Sequence, residues 1–291
     1  MTLRNNIKSA IRGLILRERG FAAELGVHAF QQARHPVATM RIALSEKCPL
    51  GTTGEELVVP LDTVILPFVM AHGSWEPHIS DFIFNNAQPK SYTVIDVGAN
   101  CGLLSRQILL SGISVHRLIC FEPHRRNFAC LKANLKQYDG VELYQCGLGA
   151  RDIITTLYED RLNHGHCSLD PRLIPESRRN SSQVELRNAM AFLPTLNIEG
   201  PIVWKSDTEG FDPEIVASVD HSLWSRVEVA AIEVWPARMD SIYTHTFLER
   251  ACEFDHLEIC GVGTLSPNEL KALLGDPSVE HYDLLAARNR T

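Results

Sequence analysis

The chain has 291 residues, 45% of them hydrophobic and 22% charged, enough for one large core or a core with an extension. A formal net charge of −7 argues against a nucleic-acid groove as the main surface, because phosphate contacts need an excess of Lys and Arg. The eight cysteines form no CxxC pair and no metal-ligand spacing, so neither a disulfide framework nor a metal site is expected, and a reducing, cytoplasmic setting is.

In chain order, residues 3–19 read as a basic amphipathic helix. Leu3, Ile7, Ile11, Leu14 and Ile15 repeat at helical spacing, and no aromatic anchor accompanies them. Packing on its own domain or on a second subunit is expected rather than a membrane surface, so a homo-oligomer could form through this helix. Residues 22–54 are irregular. Residues 56–69 have strand character broken by prolines, and a helix is expected over 78–86. The most apolar stretch, 57–71, carries Pro60, Asp62 and Pro67 and is too short to span a bilayer. The N-terminus, with charges among its apolar residues, does not read as a secretory signal. A polar linker at 88–90 suggests a boundary, with an extension or cap over 1–88 and the main domain over 89–291.

Beyond it, strand candidates at 94–97, 115–121, 141–145, 202–206, 227–234, 256–260 and 282–287 alternate with helix candidates at 103–110, 125–138, 213–219 and 241–252. Such alternation predicts an α/β fold, a mainly parallel sheet with helices on both faces. Residues 151–191 break the pattern as a polar insertion carrying Asn163, His164, Gly165, His166 and Ser168. Long insertions in compact domains are more often functional than idle.

The stretch TVIDVGANCG, residues 93–102, reads as a buried strand, a glycine turn and the start of a helix. Such a turn lets backbone N–H groups approach a ligand at the positive end of a helix. A dinucleotide loop has the spacing GxGxxG; here Gly98 and Gly102 are spaced GxxxG, and Asp96 would face the phosphates. An acid there suits a cationic ligand such as S-adenosylmethionine, which carries an ammonium and a sulfonium. Glu122 ends the second strand about two dozen residues on, where an acid in a doubly wound fold accepts ribose hydroxyls. Pro123 and Cys146, just after the second and third strand candidates, complete the expected cofactor contacts.

Lys205-Ser206-Asp207-Thr208-Glu209-Gly210 follows a strand candidate, at the sheet edge where ligands bind. Asp207 and Glu209 would share one side if strand geometry persists, and Glu233 ends the next strand. Three acids converging there would raise at least one pKa, and could act as general base toward a hydroxyl or hold a divalent ion. The plainer alternative pairs Glu209 with Lys205 and makes Asp207 a helix cap. His164 and His166 are weaker candidates for touching or deprotonating a substrate, and His124 for lining an adenine pocket. Cys167 lacks the charged surroundings of a nucleophile.

Four blocks occur in order: VIDVGANCG, CFEPHRRNFACLKANL, KSDTEGFDPEIV and VAAIEVWP. Together they resemble the FkbM-type S-adenosylmethionine-dependent methyltransferases, over residues 75–236. Thr208 stands where the family has Val, and Cys101 where an aliphatic residue is usual. The resemblance implies a class I methyltransferase (Rossmann-like) fold with a seven-stranded sheet whose last strand is antiparallel. It also implies a cofactor loop of Asp96, Gly98, Ala99, Asn100 and Gly102, a ribose acid at Glu122, and Asp207, Glu209 and Gly210 beside the reacting methyl. Family members mostly methylate hydroxyls of sugars, polyketides or related metabolites, so a small-molecule acceptor is expected. A nicotinamide-dependent oxidoreductase and a non-catalytic cofactor-binding module are the alternatives.

Overall fold

A computed structural model describes residues 39–44, 46–239, 242–276 and 281–288. The helix expected over 3–19, and any subunit contact through it, lie outside the described residues. In chain order the main elements are β1 (Thr39–Ala43), β2 (Glu56–Pro60), α1 (Ile65–His72), α2 (Pro77–Asn86), β3 (Ser91–Val97), α3 (Leu103–Leu110), β4 (Ser114–Phe121), α4 (Arg125–Leu135) and β5 (Val141–Tyr144). Next come β6 (Gly147–Gly149), just before the insertion, and then β7 (Ile153–Asp160), β8 (Cys167–Ser168) and β9 (Arg179–Asn188) within it. The chain then returns through β10 (Ile202–Ser206), α5 (Asp212–Ala217), β11 (Val227–Val234), α6 (Thr244–Ala251), β12 (His256–Ile259), β13 (Gly263–Thr264), α7 (Pro267–Leu274) and β14 (Tyr282–Ala287).

The large sheet has the order β13-β12-β14-β11-β10-β3-β4-β5. Strands β11, β10, β3, β4 and β5 run parallel, while β14 is antiparallel to both β11 and β12. The seven expected strands are therefore present, with the two-residue β13 added at the edge. Every residue of β10 and β11 is buried, so apolar and polar side chains do not alternate along them; Lys205, Glu228 and Glu233 are buried charged residues within or at the ends of these runs. Their side chains divide between two faces with the period of two that strands impose. Ile95, Trp204 and Ile232 pack with Phe247 on one face, and Val94, Val203 and Val229 with Ile83 and Leu104 on the other.

Two segments depart from expectation. The strand character of 56–69 holds only to Pro60; Ile65–His72 is helical. Pro67 is tolerated because it falls in the first turn, where its missing N–H has no intrahelical partner to lose. Asp62 accepts the N–H of Leu66 at 3.0 Å and so ties that turn. The polar insertion, in turn, folds with β6 as a second, four-stranded sheet, β6-β9-β7-β8. In β7, β8 and β9 only Leu157, Asp160, Ser168 and Val184 are buried, so the segment carries no continuous apolar run.

Candidate active site

The turn between β3 and α3 is shaped by Gly98 (φ 76°), Asn100 (φ 51°) and Gly102 (φ 77°). A Cβ at Gly98 would lie 2.0 Å from the carbonyl oxygen of Asp207, so only glycine lets the ends of β3 and β10 approach this closely. Gly102 instead meets Leu131 and Leu135, and serves packing between α3 and α4.

Asp96 does not face the crevice. It is fully buried behind the turn, accepts a hydrogen bond from Ser105 Oγ, and lies 3.2 Å from Lys205 Nζ. A buried carboxylate needs such a partner, and Lys205 is the one the sequence reading did not assign to it. Lys205 also donates to the carbonyl of Gly98 at 3.0 Å and lies 3.9 Å from Asp207. Burial would lower the pKa of this ammonium, but Asp96, Asp207 and Glu76 overcome that and hold it above the ordinary lysine value. Neither plainer alternative is formed: Lys205 bonds Asp96 rather than Glu209, and the acid that ties the following turn is Asp212, which accepts from Thr208 N and Oγ1.

Two cavities meet over the carboxyl ends of the parallel strands. The smaller, about 80 Å³, is lined by Glu122, Pro123, Asn127, Gly147 and Leu148 among others. The larger, about 330 Å³, is bordered by Trp75, Glu76, His166, Lys205, Glu233 and Trp235 among others. Gly98, Asn100, Gly165, Asp207 and Glu209 border both, so the two form one crevice. Ala99 lines the larger part. Cys146 belongs to the hydrophobic core behind, leaving Gly147 and Leu148 on the surface of the small cavity. Trp235 stacks on His281 with centroids 5.5 Å apart, making an aromatic wall of the larger cavity.

Glu122 accepts backbone N–H groups from Asn100 (2.8 Å) and His124 (2.7 Å). Burial pushes its pKa up to about 7 despite those bonds. The three expected acids do converge on the larger cavity, together with a fourth, Glu76. Strand geometry ends at Ser206, however, and Glu209 is brought round by a left-handed turn (φ 54°). Its N–H donates to Glu233 Oε2 at 3.1 Å. Burial, with Asp207 and Glu209 close by, holds Glu233 well above the ordinary glutamate value. Burial and Asp207 likewise push Glu76 up to about 8. Burial raises Asp207 too, against the pull of Lys205. Among the described residues no group of three or more His, Cys, Asp or Glu side chains is arranged to hold a metal ion.

The insertion and the segment before α1 together roof the crevice. Thr63 N donates to the carbonyl of Leu162 at 2.9 Å, and His164 N to Asp62 Oδ2 at 3.2 Å. Of the three candidate histidines, only His166 lines the crevice, with Nε2 3.7 Å from Glu209 Oε2. His124 and His164 turn instead to Glu159, at 3.3 and 3.9 Å, beside Arg126. Burial, then the Arg126 charge, pushes both down to about 4, so they are neutral.

The strand order β12-β14-β11-β10-β3-β4-β5, with β14 alone reversed among the seven, decides the architecture. This is the class I methyltransferase fold. The first turn of such a fold and the ends of its next strands carry the crevice just described. No family model matches the sequence. The chain is 23% identical over 181 residues to the protein named Methyltransferase 1 of Beauveria bassiana (strain ARSEF 2860), covering 55% of this chain and 72% of that protein. Similar solved structures include methyltransferase FkbM from Methylobacillus flagellatus KT (14% identical, TM-score 0.39, 76% of this chain). This chain spans about half, 52%, of that one. Another is TrmK from M. capricolum in complex with S-adenosylhomocysteine (8% identical, TM-score 0.38, 72% of this chain and 68% of that one). Likenesses at these scores add nothing to what the strand order establishes.

Proposed function

We propose that the chain is an S-adenosylmethionine-dependent methyltransferase of FkbM type, acting on a hydroxyl of a sugar, polyketide or related small metabolite. The observation that carries the reading is the two-part crevice. A narrow compartment holds a carboxylate braced by two N–H groups, and it opens into a wider one lined with acids. A nucleoside bearing a cationic amino acid fits that division of charge and size. Glu122 would hold the ribose hydroxyls, with Pro123 and Gly147 beside the base and Cys146 supporting from behind. Gly98, Ala99 and Asn100 shape the loop, and Gly102 seats it on α4. Asp96 contributes at one remove, by anchoring the lysine that holds the Gly98 carbonyl. Asp207 supplies negative charge for the ammonium and sulfonium, and Glu76, whose pKa burial raises to about 8, would add its own once the cation displaces its proton. Bound there, the donor supplies an electrophilic methyl group.

Asp207, Glu209 and Glu233 border the larger compartment, where an acceptor would sit. Holding the acceptor in line lowers the barrier by as much as about 7–11 kcal/mol when alignment is good. The acids disfavour a pyrophosphate, which weighs against a nicotinamide dinucleotide, and with the net charge of −7 they favour a small neutral acceptor over nucleic acid. All eight cysteines are free thiols, which supports a reducing, cytoplasmic setting. Among the described residues no helix is long and apolar enough to cross a membrane.

Calorimetric titration with S-adenosylmethionine, S-adenosylhomocysteine and NAD tests the donor. Binding of the first two and not the third is expected; binding of NAD alone would sink the reading. Transfer of labelled methyl to a panel of polyhydroxylated compounds then separates an enzyme from a binding module, which would hold the donor and methylate nothing.

A further inference from the structure

We propose that His166, carried by the insertion, is the group that takes the proton of the acceptor hydroxyl, with Glu209 as the positioning residue that holds its imidazole; this rests on the methyltransferase reading above. Both side chains border the larger cavity, and His166 Nε2 lies 3.7 Å from Glu209 Oε2. Each comes from a different layer of the fold. His166 sits between β7 and β8 of the insertion, and Glu209 follows β10 of the main sheet.

Both backbones are pinned. His166 N donates to the carbonyl of Asn163 at 3.1 Å, and its own carbonyl accepts from Asp160 N at 3.1 Å. Glu209 N donates to Glu233, and its carbonyl accepts from Ser168 Oγ at 3.4 Å. A pair held at both ends can keep one orientation while substrates exchange. The side chains are 19% and 17% exposed, open enough to reach a ligand and enclosed enough for the charge interaction to count.

The other titratable groups on this cavity are less suited. Burial, with Asp207 and Glu209 close by, holds Glu233 well above the ordinary glutamate value, and it already accepts the Glu209 N–H. Asp207 lies 3.9 Å from the Lys205 ammonium, which opposes proton uptake. Glu76 stands with the same lysine and Asp207, where the donor's cation is drawn. His281 is stacked against Trp235. The His166 imidazole borders the cavity with the Glu209 carboxylate 3.7 Å away, so a proton taken from the acceptor would be balanced by a neighbouring charge. In the step, the hydroxyl proton passes to the imidazole as the acceptor oxygen bonds to the methyl carbon, and the electron pair of the broken carbon–sulfur bond stays on sulfur. The imidazolium is then stabilised by Glu209.

The test needs no knowledge of the acceptor. Protein labelled with 13C at histidine Cε1 is titrated by NMR, and the His166 resonance is assigned as the one missing from His166→Gln. In wild-type protein saturated with S-adenosylhomocysteine, and again with S-adenosylmethionine, the donor's extra positive charge should lower the His166 pKa by about half a unit or more. In Glu209→Gln the pKa should fall by about one unit. A shift under about 0.2 unit between the two nucleosides, both bound to the wild-type protein, overturns the proton-acceptor role. No change in Glu209→Gln overturns the pairing. Calorimetry on the same samples distinguishes the failures, because absence of binding by either nucleoside overturns the donor reading itself.

Discussion

Replacing Lys205 with methionine keeps the length of an apolar stem and removes the charge opposite Asp96. In the native protein the two groups lie 3.2 Å apart with side chains 5% and 1% exposed. Without the ammonium, Asp96 is left with the Ser105 hydroxyl, and a carboxylate so placed takes up a proton rather than remain ionised. Holding a proton at pH 7 on a group whose ordinary value is about 3.9 costs about 4 kcal/mol, and at pH 5 about 1.5 kcal/mol. The first figure falls in the range of about 3–5 kcal/mol for breaking a buried ion pair. The native variant binds a proton that its unfolded chain has lost, so the penalty relative to wild type shrinks as pH falls from 7 to 5. Urea unfolding of both proteins at pH 5, 6 and 7, followed by fluorescence of the buried Trp204 and Trp224, measures this directly. Asp96→Asn combined with Lys205→Met should recover most of the loss. A penalty below about 1 kcal/mol at pH 7, or one of equal size at every pH, would refute the account of Asp96.

Glu122→Gln should weaken S-adenosylhomocysteine binding by about 10- to 100-fold in calorimetry, the worth of charge-assisted bonds to two hydroxyls, with little change in thermal midpoint. The free protein should lose stability between pH 6.5 and 8. Burial raises the folded-state pKa of Glu76 to about 8 and of Glu122 and Asp212 to about 7, so their contributions are full below the unfolded values and are lost as pH rises through those raised ones, Glu76 last. His124 and His164, depressed to about 4, act oppositely, and their effect fades as pH rises past the unfolded value of 6.5. Glu76→Gln should flatten that slope in differential scanning calorimetry, and an unchanged slope would assign it elsewhere. Gly98→Ala places a methyl against the Asp207 carbonyl at positive φ, so a destabilisation above about 2 kcal/mol with loss of nucleoside binding is expected. A stable variant with native affinity would show that the two strand ends can part.

The parallel sheet was legible because its mostly apolar strands alternate with helical patterns, and the place of Glu122 on the crevice because an acid after the second strand has a positional meaning. Asp96 shows where position alone misleads. A one-dimensional reading marks an acid beside a glycine turn but not which side of the turn it faces, and a lysine more than a hundred residues away settles that. Glu76 escaped notice because a lone Glu-Pro before a helix looks like a turn; only the fold brings it to Asp207. The helix α7 had a readable signal, since Ser266 and Glu269 form a capping box, but it was passed over between two strand candidates. His166 and Glu209 could not be paired from spacing, because their proximity depends on how the insertion closes over the sheet.

The bonds from Thr63 to Leu162 and from His164 to Asp62 have a bearing on how this protein could be re-engineered. Asp62 serves two masters: it caps the first turn of α1 and receives an N–H from the loop that bears the catalytic candidate His166. A graft that exchanges residues 151–191 for a relative's loop, without also exchanging the stretch around Asp62, would put at risk the two bonds that tie the insertion to the opposite wall, while Asp62 keeps only its partners Val64 and Leu66. Libraries aimed at new acceptors should therefore recombine the two segments as a single cassette.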